Sequence, residues 1–269
     1  MKYLKENLIS LPKILVIFIA GTAFYVQSSD DLQGFKEFKQ KKIQKIIKTL
    51  DESDVEILTH KKPYVRVDYS FKEKVGKHII KVDGNELNIR NKKEEGGEVC
   101  SYKIFVPEKN KLSNITANIG SGCVIFNGIT FDNSKISLGK GSAFAKNIKA
   151  NETVFSLGKG SIFAENLQVN KSKFSIGKGD ISLLNVMGDV KANSGSGNIS
   201  FILKKLIEKK QRTLNANTGS GKIIVKLPEN TSIFYKGLCS GLQNGLKEKA
   251  NYILKLSSGY FGKVFVSKL

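Results

Sequence analysis

Between Gly120 and Phe201 the apolar positions recur in columns. Counted from the first glycine of each Gly-x-Gly triplet, position 5 holds Val124, Ala143, Ile162, Ile181 and Ile199, and position 7 holds Phe126, Ala145, Ala164, Leu183 and Phe201. Position 10 holds Ile129, Ile148, Leu167 and Val186. Positions 17 and 19 hold Ile136, Phe155, Phe174 and Leu138, Leu157, Ile176. Apolar residues two apart form one face of a strand, because strand side chains alternate. The triplets open at Gly120, Gly139, Gly158, Gly177, Gly195 and Gly219, in steps of 19, 19, 19, 18 and 24 residues. A fixed period of this size predicts a β-solenoid, in which one turn cannot bury its inward face but stacked turns can. The rival arrangement is an antiparallel β-sandwich with glycine turns. Each Gly-x-Gly reads as a sharp corner needing positive φ. Asn147, Asn166 and Asn185 at position 9 form a candidate amide ladder. Asp132, Asn151, Asn170 and Asp189 at position 13 suit tight turns.

The flanks carry weaker patterns. Residues 1–29 read as a signal peptide or membrane anchor: Lys2, Lys5 and Lys13 precede an uncharged run from Ile14 to Val26, then small residues. In residues 30–54, Leu32, Phe35, Phe38, Ile43, Ile46, Ile47 and Leu50 fall at helical spacing, which predicts an amphipathic helix that caps the solenoid or lies on a membrane. Residues 55–269 form the predicted solenoid domain, regular over about 120–226. Within it, His78 to Ile89 reads as a strand, an Asp-Gly-Asn turn and a strand. The period breaks once, where Leu203 to Arg212 lengthens a turn into a loop.

Charge adds one feature. The formal net charge is +20, and Arg occurs only at Arg66, Arg90 and Arg212. Lysine excess is compatible with an anionic polymer or lipid surface as partner, and equally with plain solvated faces. Specific nucleic-acid recognition is not indicated, since phosphate recognition usually employs Arg as well. Lys140, Lys159 and Lys178 share position 2 and form a candidate binding row. Lys204, Lys205, Lys209, Lys210 and Arg212 add charge in the insertion. Ser121, Ser196 and Ser220 fill position 2 elsewhere.

Catalytic chemistry is thin. The histidines are His60 and His78 alone, which argues against a multi-His metal site. Gly219-Ser-Gly-Lys222 imitates a phosphate loop but lacks the following Ser or Thr and enters a strand. Asp132 and Asp189 are isolated acids, which leaves a carbohydrate-active β-helix enzyme as the outlying alternative. No cofactor is implied. Cys100, Cys123 and Cys239 are an odd number, and Cys100 and Cys123 could lie close together in the early strands.

The serial turns resemble a known family. The stretch Gly177-Lys-Gly-Asp-Ile-Ser-Leu183, Val186-Met-Gly-Asp-Val190, Ser194-Gly-Ser-Gly-Asn-Ile199 and Asn217-Thr-Gly-Ser-Gly-Lys-Ile-Ile-Val-Lys-Leu-Pro228 is similar to bacterial adhesin-like β-solenoid domains, including those called head-GIN. The resemblance implies an exported, single-stranded, right-handed solenoid without a catalytic motif. The expected role is a non-catalytic envelope or cell-surface scaffold or adhesin-like module. The alternative is a module binding an anionic glycan or other envelope polymer through the lysine row. The ligand and any envelope protein partner are not named by the sequence.

Overall fold

The computed structural model of the chain describes residues 15–19, 22–26, 33–39, 42–70, 78–91, 100–205, 210–236, 250–259 and 263–269. The main body is one sheet of parallel turns. Strand β9 (Leu112–Asn127) pairs in parallel with the start of β10 (Thr130–Ser196), Phe131 beside Leu112 and Ala145 beside Phe126. β10 runs without a break through three corners. The chain then continues through β11 (Ile199–Ile202), β12 (Arg212–Ser220) and β13 (Lys222–Leu227), each parallel to the turn before it. The all-β solenoid is therefore present, and the antiparallel sandwich is not.

The core is a set of columns that compensate one another in volume. Position 7 carries Phe126, Ala145, Ala164, Leu183 and Phe201, all buried. In the same turns, the site three residues before the next corner glycine carries Ile136, Phe155, Phe174, Ala192 and Ala216, also buried. The four turns that hold alanine at one site hold phenylalanine, or in one case leucine, at the other. Phe155 and Phe174 stack at 5.7 Å, and Phe126 reaches across to Phe155 at 6.0 Å. Dense cores need such alternation of large and small side chains. Beside the phenylalanines, Ser134 and Thr153 bury their hydroxyls but bond each other at 2.6 Å, which satisfies both.

The predicted helix over residues 30–54 is not found among the described residues; 33–38 and 45–54 are strand. β3 (Gln33–Phe38) pairs antiparallel with β5 (Val65–Ser70), and β4 (Lys45–His60) is a solenoid turn beside β9, with Ile46 next to Ile115 and Val55 next to Val124. The cause lies at Lys48. It occupies an inward strand position between Ile46 and Leu50 and is fully buried. A lysine there breaks the apolar alternation, and what remains, Ile46 and Leu50, is four apart, as on a helix. Residues 1–14 of the expected export segment lie outside the described residues. β1 (Leu15–Ile19) and β2 (Thr22–Val26) form a separate antiparallel pair. Among the described residues no helix is long and apolar enough to cross a membrane.

Both ends depart from sequential stacking. β7 (Glu86–Asn91) and β8 (Cys100–Pro107) pair with one edge of β4, while β9 takes the other edge. β4 thus sits between two later stretches of chain. β6 (His78–Asp83) folds back on β7 through the predicted turn at Gly84, and β5 pairs antiparallel with β8. At the other end, β15 (Tyr252–Ser258) lies between β12 and β14 (Ile233–Lys236), although β14 precedes it in the chain. β16 (Lys263–Lys268) covers β13.

Two predictions follow from the packing. The Lys48 Nζ has no hydrogen-bond partner among the described residues, and burial holds its pKa well below the usual lysine value. The unfolded state therefore binds more protons than the folded one in the interval between that depressed value and the ordinary lysine value of about 10.4. Stability rises with pH across that interval and levels off above it. Lys48→Met removes the unsatisfied group and stabilises the fold by roughly 1–3 kcal/mol near neutral pH. Urea melts at several pH values should show this gain and a flatter pH dependence; a loss of stability at every pH contradicts the assignment. The second concerns the corner. Gly160 has φ of +133°, and an added Cβ would overlap the Gly141 carbonyl oxygen. Gly84 has φ of +56° with open space around it. Gly160→Ala should cost at least about 2 kcal/mol and Gly84→Ala only about 1, read from the same melts.

Candidate functional site: the glycine corner and its flanks

The corner is built by two glycine columns with different constraints. The second glycines, from Gly122 to Gly221, have φ near +130° to +140°, a region open to glycine alone. The first glycines do not adopt positive φ. Gly139 is needed because a Cβ there would strike the Gly120 carbonyl oxygen of the turn below. The sequence expectation of positive φ thus holds for one glycine of each pair, and close stacking explains the other.

The first glycine column leaves no side chain outward, and a groove results. It has a volume of about 730 Å³ and runs from Thr49 to Asn193 across six turns. Its floor is lined by the outward side chains two residues before each corner glycine (position 18 in the regular turns), Asn118, Ser137, Ser156, Ser175 and Asn193, together with the glycines and the edges of Leu50, Ile119, Leu138, Leu157 and Ile176. At an inter-strand spacing of roughly 4.8 Å, five steps make it about 24 Å long. The hydroxyls of Ser137, Ser156 and Ser175 make no hydrogen bond to the described residues.

Lysines stand on both sides of this floor. Lys140, Lys159 and Lys178 follow the glycines and are exposed, in register with Ser121 before them. Lys135, Lys173 and Lys191 lie two positions before the floor residues, exposed and on the same outward face. None of the six makes an ion pair with a described residue. In the same columns, Asp51 and Glu52 stand at the β4 end beside Gly120 and Ser121; Asp180 and Asp189 lie two residues from Lys178 and Lys191, and each accepts a backbone N–H of the next turn. Like charges directly opposite one another on neighbouring strands are destabilising, so the middle three turns hold a repulsive column.

The insertion is elsewhere. Lys204, Lys205 and Lys210 are exposed, but they flank the opposite corner, where the Asn column ends. Lys209 lies outside the described residues. Arg212 is buried, 8% exposed, at the start of β12. The strand carrying Ala143 and Ala145 separates the two corners. The structure therefore does not bring the insertion charges to the lysine row. Lys135, Lys173, Lys191 and the position-18 floor were not singled out from the sequence. Extending the column alignment to outward positions, rather than apolar ones, would have found them.

The Asn corner has its own geometry. Asn147, Asn166 and Asn185 hold φ of 55°, 55° and 53°. Asn166 Nδ2 donates to Asn147 Oδ1 at 3.2 Å, and Asn185 Nδ2 to Asn166 Oδ1 at 3.0 Å. Asn185 Oδ1 then accepts the Lys204 N–H at 2.9 Å, which anchors the start of the insertion. Asn170 Nδ2 donates likewise to Asn151 Oδ1 at 2.9 Å.

The two column acids are engaged in structural bonds. Asp132 pairs with Lys111 at 2.5 Å, and Asp189 Oδ1 accepts the Thr213 N–H at 2.9 Å. Among the described residues no group of three or more His, Cys, Asp or Glu is placed to hold a metal ion. Cys123 is a free thiol whose pKa is pushed up by burial and by Asp54 and Glu56. β4 runs between the strands that carry Cys100 and Cys123, so the expected proximity of the two does not arise.

A family model, Toastrack DUF4097, matches residues 43–240, well over half of the chain. The chain belongs to the Toastrack DUF4097 family. The match carries that name and not the head-GIN name. The Toastrack span begins at β4, the turn that the sequence pattern read as helix, and takes in the whole groove. Among solved structures, the chain is similar to a putative adhesin from Bacteroides fragilis NCTC 9343 at 11% identity, covering 89% of this chain and 99% of that one, with a TM-score of 0.49. It is similar to a putative adhesin from Parabacteroides distasonis ATCC 8503 at 12% identity, covering 90% and 98%, with a TM-score of 0.46. A putative lipid binding protein from the same strain is 15% identical, covering 90% and 98%, with a TM-score of 0.44. A search of curated proteins finds no match.

The Asn ladder of the Toastrack solenoid makes a separable prediction. Asn166→Gly keeps the left-handed backbone but removes two amide bonds; Asn166→Ala loses both features. Chemical denaturation should rank wild type above Gly and Gly above Ala, with Ala about 1–2 kcal/mol below wild type. Equal losses would mean that the ladder bonds alone matter and the backbone strain does not.

Proposed function

We propose that this Toastrack protein is a non-catalytic, exported scaffold or binding module of adhesin-like kind, acting at the cell envelope or surface. The observation that carries the reading is the repetition of the outward faces. Rows of Asn, Ser and Lys each recur over three successive turns in the middle of the stack, giving an extended surface suited to a long or repeating partner. Solenoids commonly offer such extended faces for binding. The placement of Asp132 and Asp189 supports a non-catalytic role, since each is engaged in a structural bond and neither faces a second acid. Export rests on residues 1–29, whose basic start, uncharged run and small residues match a secretory segment or an uncleaved anchor.

The test is topological. Residues 1–29 fused to a reporter that is active only outside the cytoplasm should give activity. Deleting Ile14 to Val26 from that fusion should abolish it. A silent fusion, with the full chain recovered from the cytoplasm, overturns the envelope assignment.

A further inference from the structure

We propose that the groove beside the glycine corner binds a linear acidic glycan, laid along the solenoid axis with its charges between the two lysine rows. The inference deepens the binding-module reading and rests on it. Four observations converge. The groove is continuous over about 24 Å, five strand spacings, and open along its length, so it admits a chain and not only a chain end. Next to its lining in sequence register stand Lys140, Lys159 and Lys178 on one side and, on the other, Lys135, Lys173 and Lys191 with Val154 between the first two; none of the six is paired with an acid of the described residues. Its floor offers the Ser137, Ser156 and Ser175 hydroxyls, which make no hydrogen bond to a described residue. The first rim sets lysine directly over lysine in three successive turns, an arrangement a sheet avoids, whereas serine fills that corner in the turns on either side. A polyanion relieves this repulsion; a bare scaffold has no use for it.

The chemistry of the lining selects the class of polymer. The groove contains no aromatic ring, so bases have no platform on which to stack. It contains no arginine, so no planar fork is present for bidentate phosphate recognition. Lysine is a point charge that meets single carboxylates or sulfates. Hydroxyl and amide side chains match sugar hydroxyls. Those features favour an acidic glycan over a nucleic acid.

The experiment uses the full chain and four probes: polygalacturonate, its methyl-ester, dextran sulfate and oligo-dT. Three variants are compared with wild type. The first replaces Lys140, Lys159 and Lys178 by Ser. The second replaces the exposed Lys149, Lys205 and Lys226 by Ser, away from the groove. The third is Ser156→Phe, which blocks the floor without changing charge. Polygalacturonate or dextran sulfate should bind in a salt-dependent way, and the ester should not bind. The groove triple should weaken binding at least about tenfold, and its log–log salt slope should become shallower by about two, three contacts at roughly 0.7 each. Its Tm should be unchanged or raised, because the repulsive column is gone. Ser156→Phe should weaken binding about as much. The proposal is overturned if neither acidic glycan binds, if the two triples lose affinity equally, or if Ser156→Phe folds and binds like wild type. Tighter binding of oligo-dT than of either glycan also overturns it. Should Ser156→Phe fail to fold, the two triples still decide. None of these outcomes depends on export, so a failure of the envelope assignment remains separate.

Discussion

The structure depends on one close approach. At each glycine corner, the carbonyl oxygen of one turn occupies the space that a Cβ of the next turn would need. The corners can then nest directly on one another and pass through the same angle. Because they nest, the strands on either side keep one register from Phe131 beside Leu112 to Thr218 beside Ser258. A larger residue at one corner would lift that turn, and every column crossing it would lose alignment. The groove has the same origin: a column that must be glycine cannot fill the space outside it.

Register then makes the rest cumulative. Phe155 over Phe174 and Asn166 over Asn147 are favourable because like sits on like. For an aromatic ring or an amide, stacking identical groups satisfies both members. For an ammonium group, the same stacking repels. The lysine column and the Asn ladder are thus produced by one geometry with opposite energetic signs. In the core, the reciprocal placement of Ala145 with Phe155 and of Ala164 with Phe174 keeps the turns equal in cross-section, as straight stacking requires.

The repeated turns were legible because period, alternation and glycine all point the same way between Gly120 and Phe201. What escaped lies where one of these signals is missing. β4 makes the same corner with Asp51-Glu52-Ser53 and no glycine, and it holds Lys48 at an inward position. Neither the period nor the alternation survives there, and only pairing with residues 69 positions away reveals a turn. The insertion was visible as an interruption, but its corner was not, since the side of a turn from which a loop leaves is fixed by the stack. The groove was half legible: one lysine row appeared in the column count, while the serine floor looked like ordinary polar filling of a strand face.

The two out-of-order ends bear on how the chain comes into being. A simple solenoid can add turns one after another as residues leave the ribosome, each new turn resting on the last. Here the slot between β12 and β14 is filled by β15, which is synthesised after both. β14 has no partner to rest on until then, and β12 keeps an unpaired edge, the kind of edge that recruits other chains. At the opposite end β4 waits for β7, β8 and β9 to cover its two edges. Vectorial growth therefore applies to the middle of the molecule and not to its terminal turns. Once closed, β15 is wedged between β12 and β14, and it cannot peel away without breaking the pairing on both of its edges.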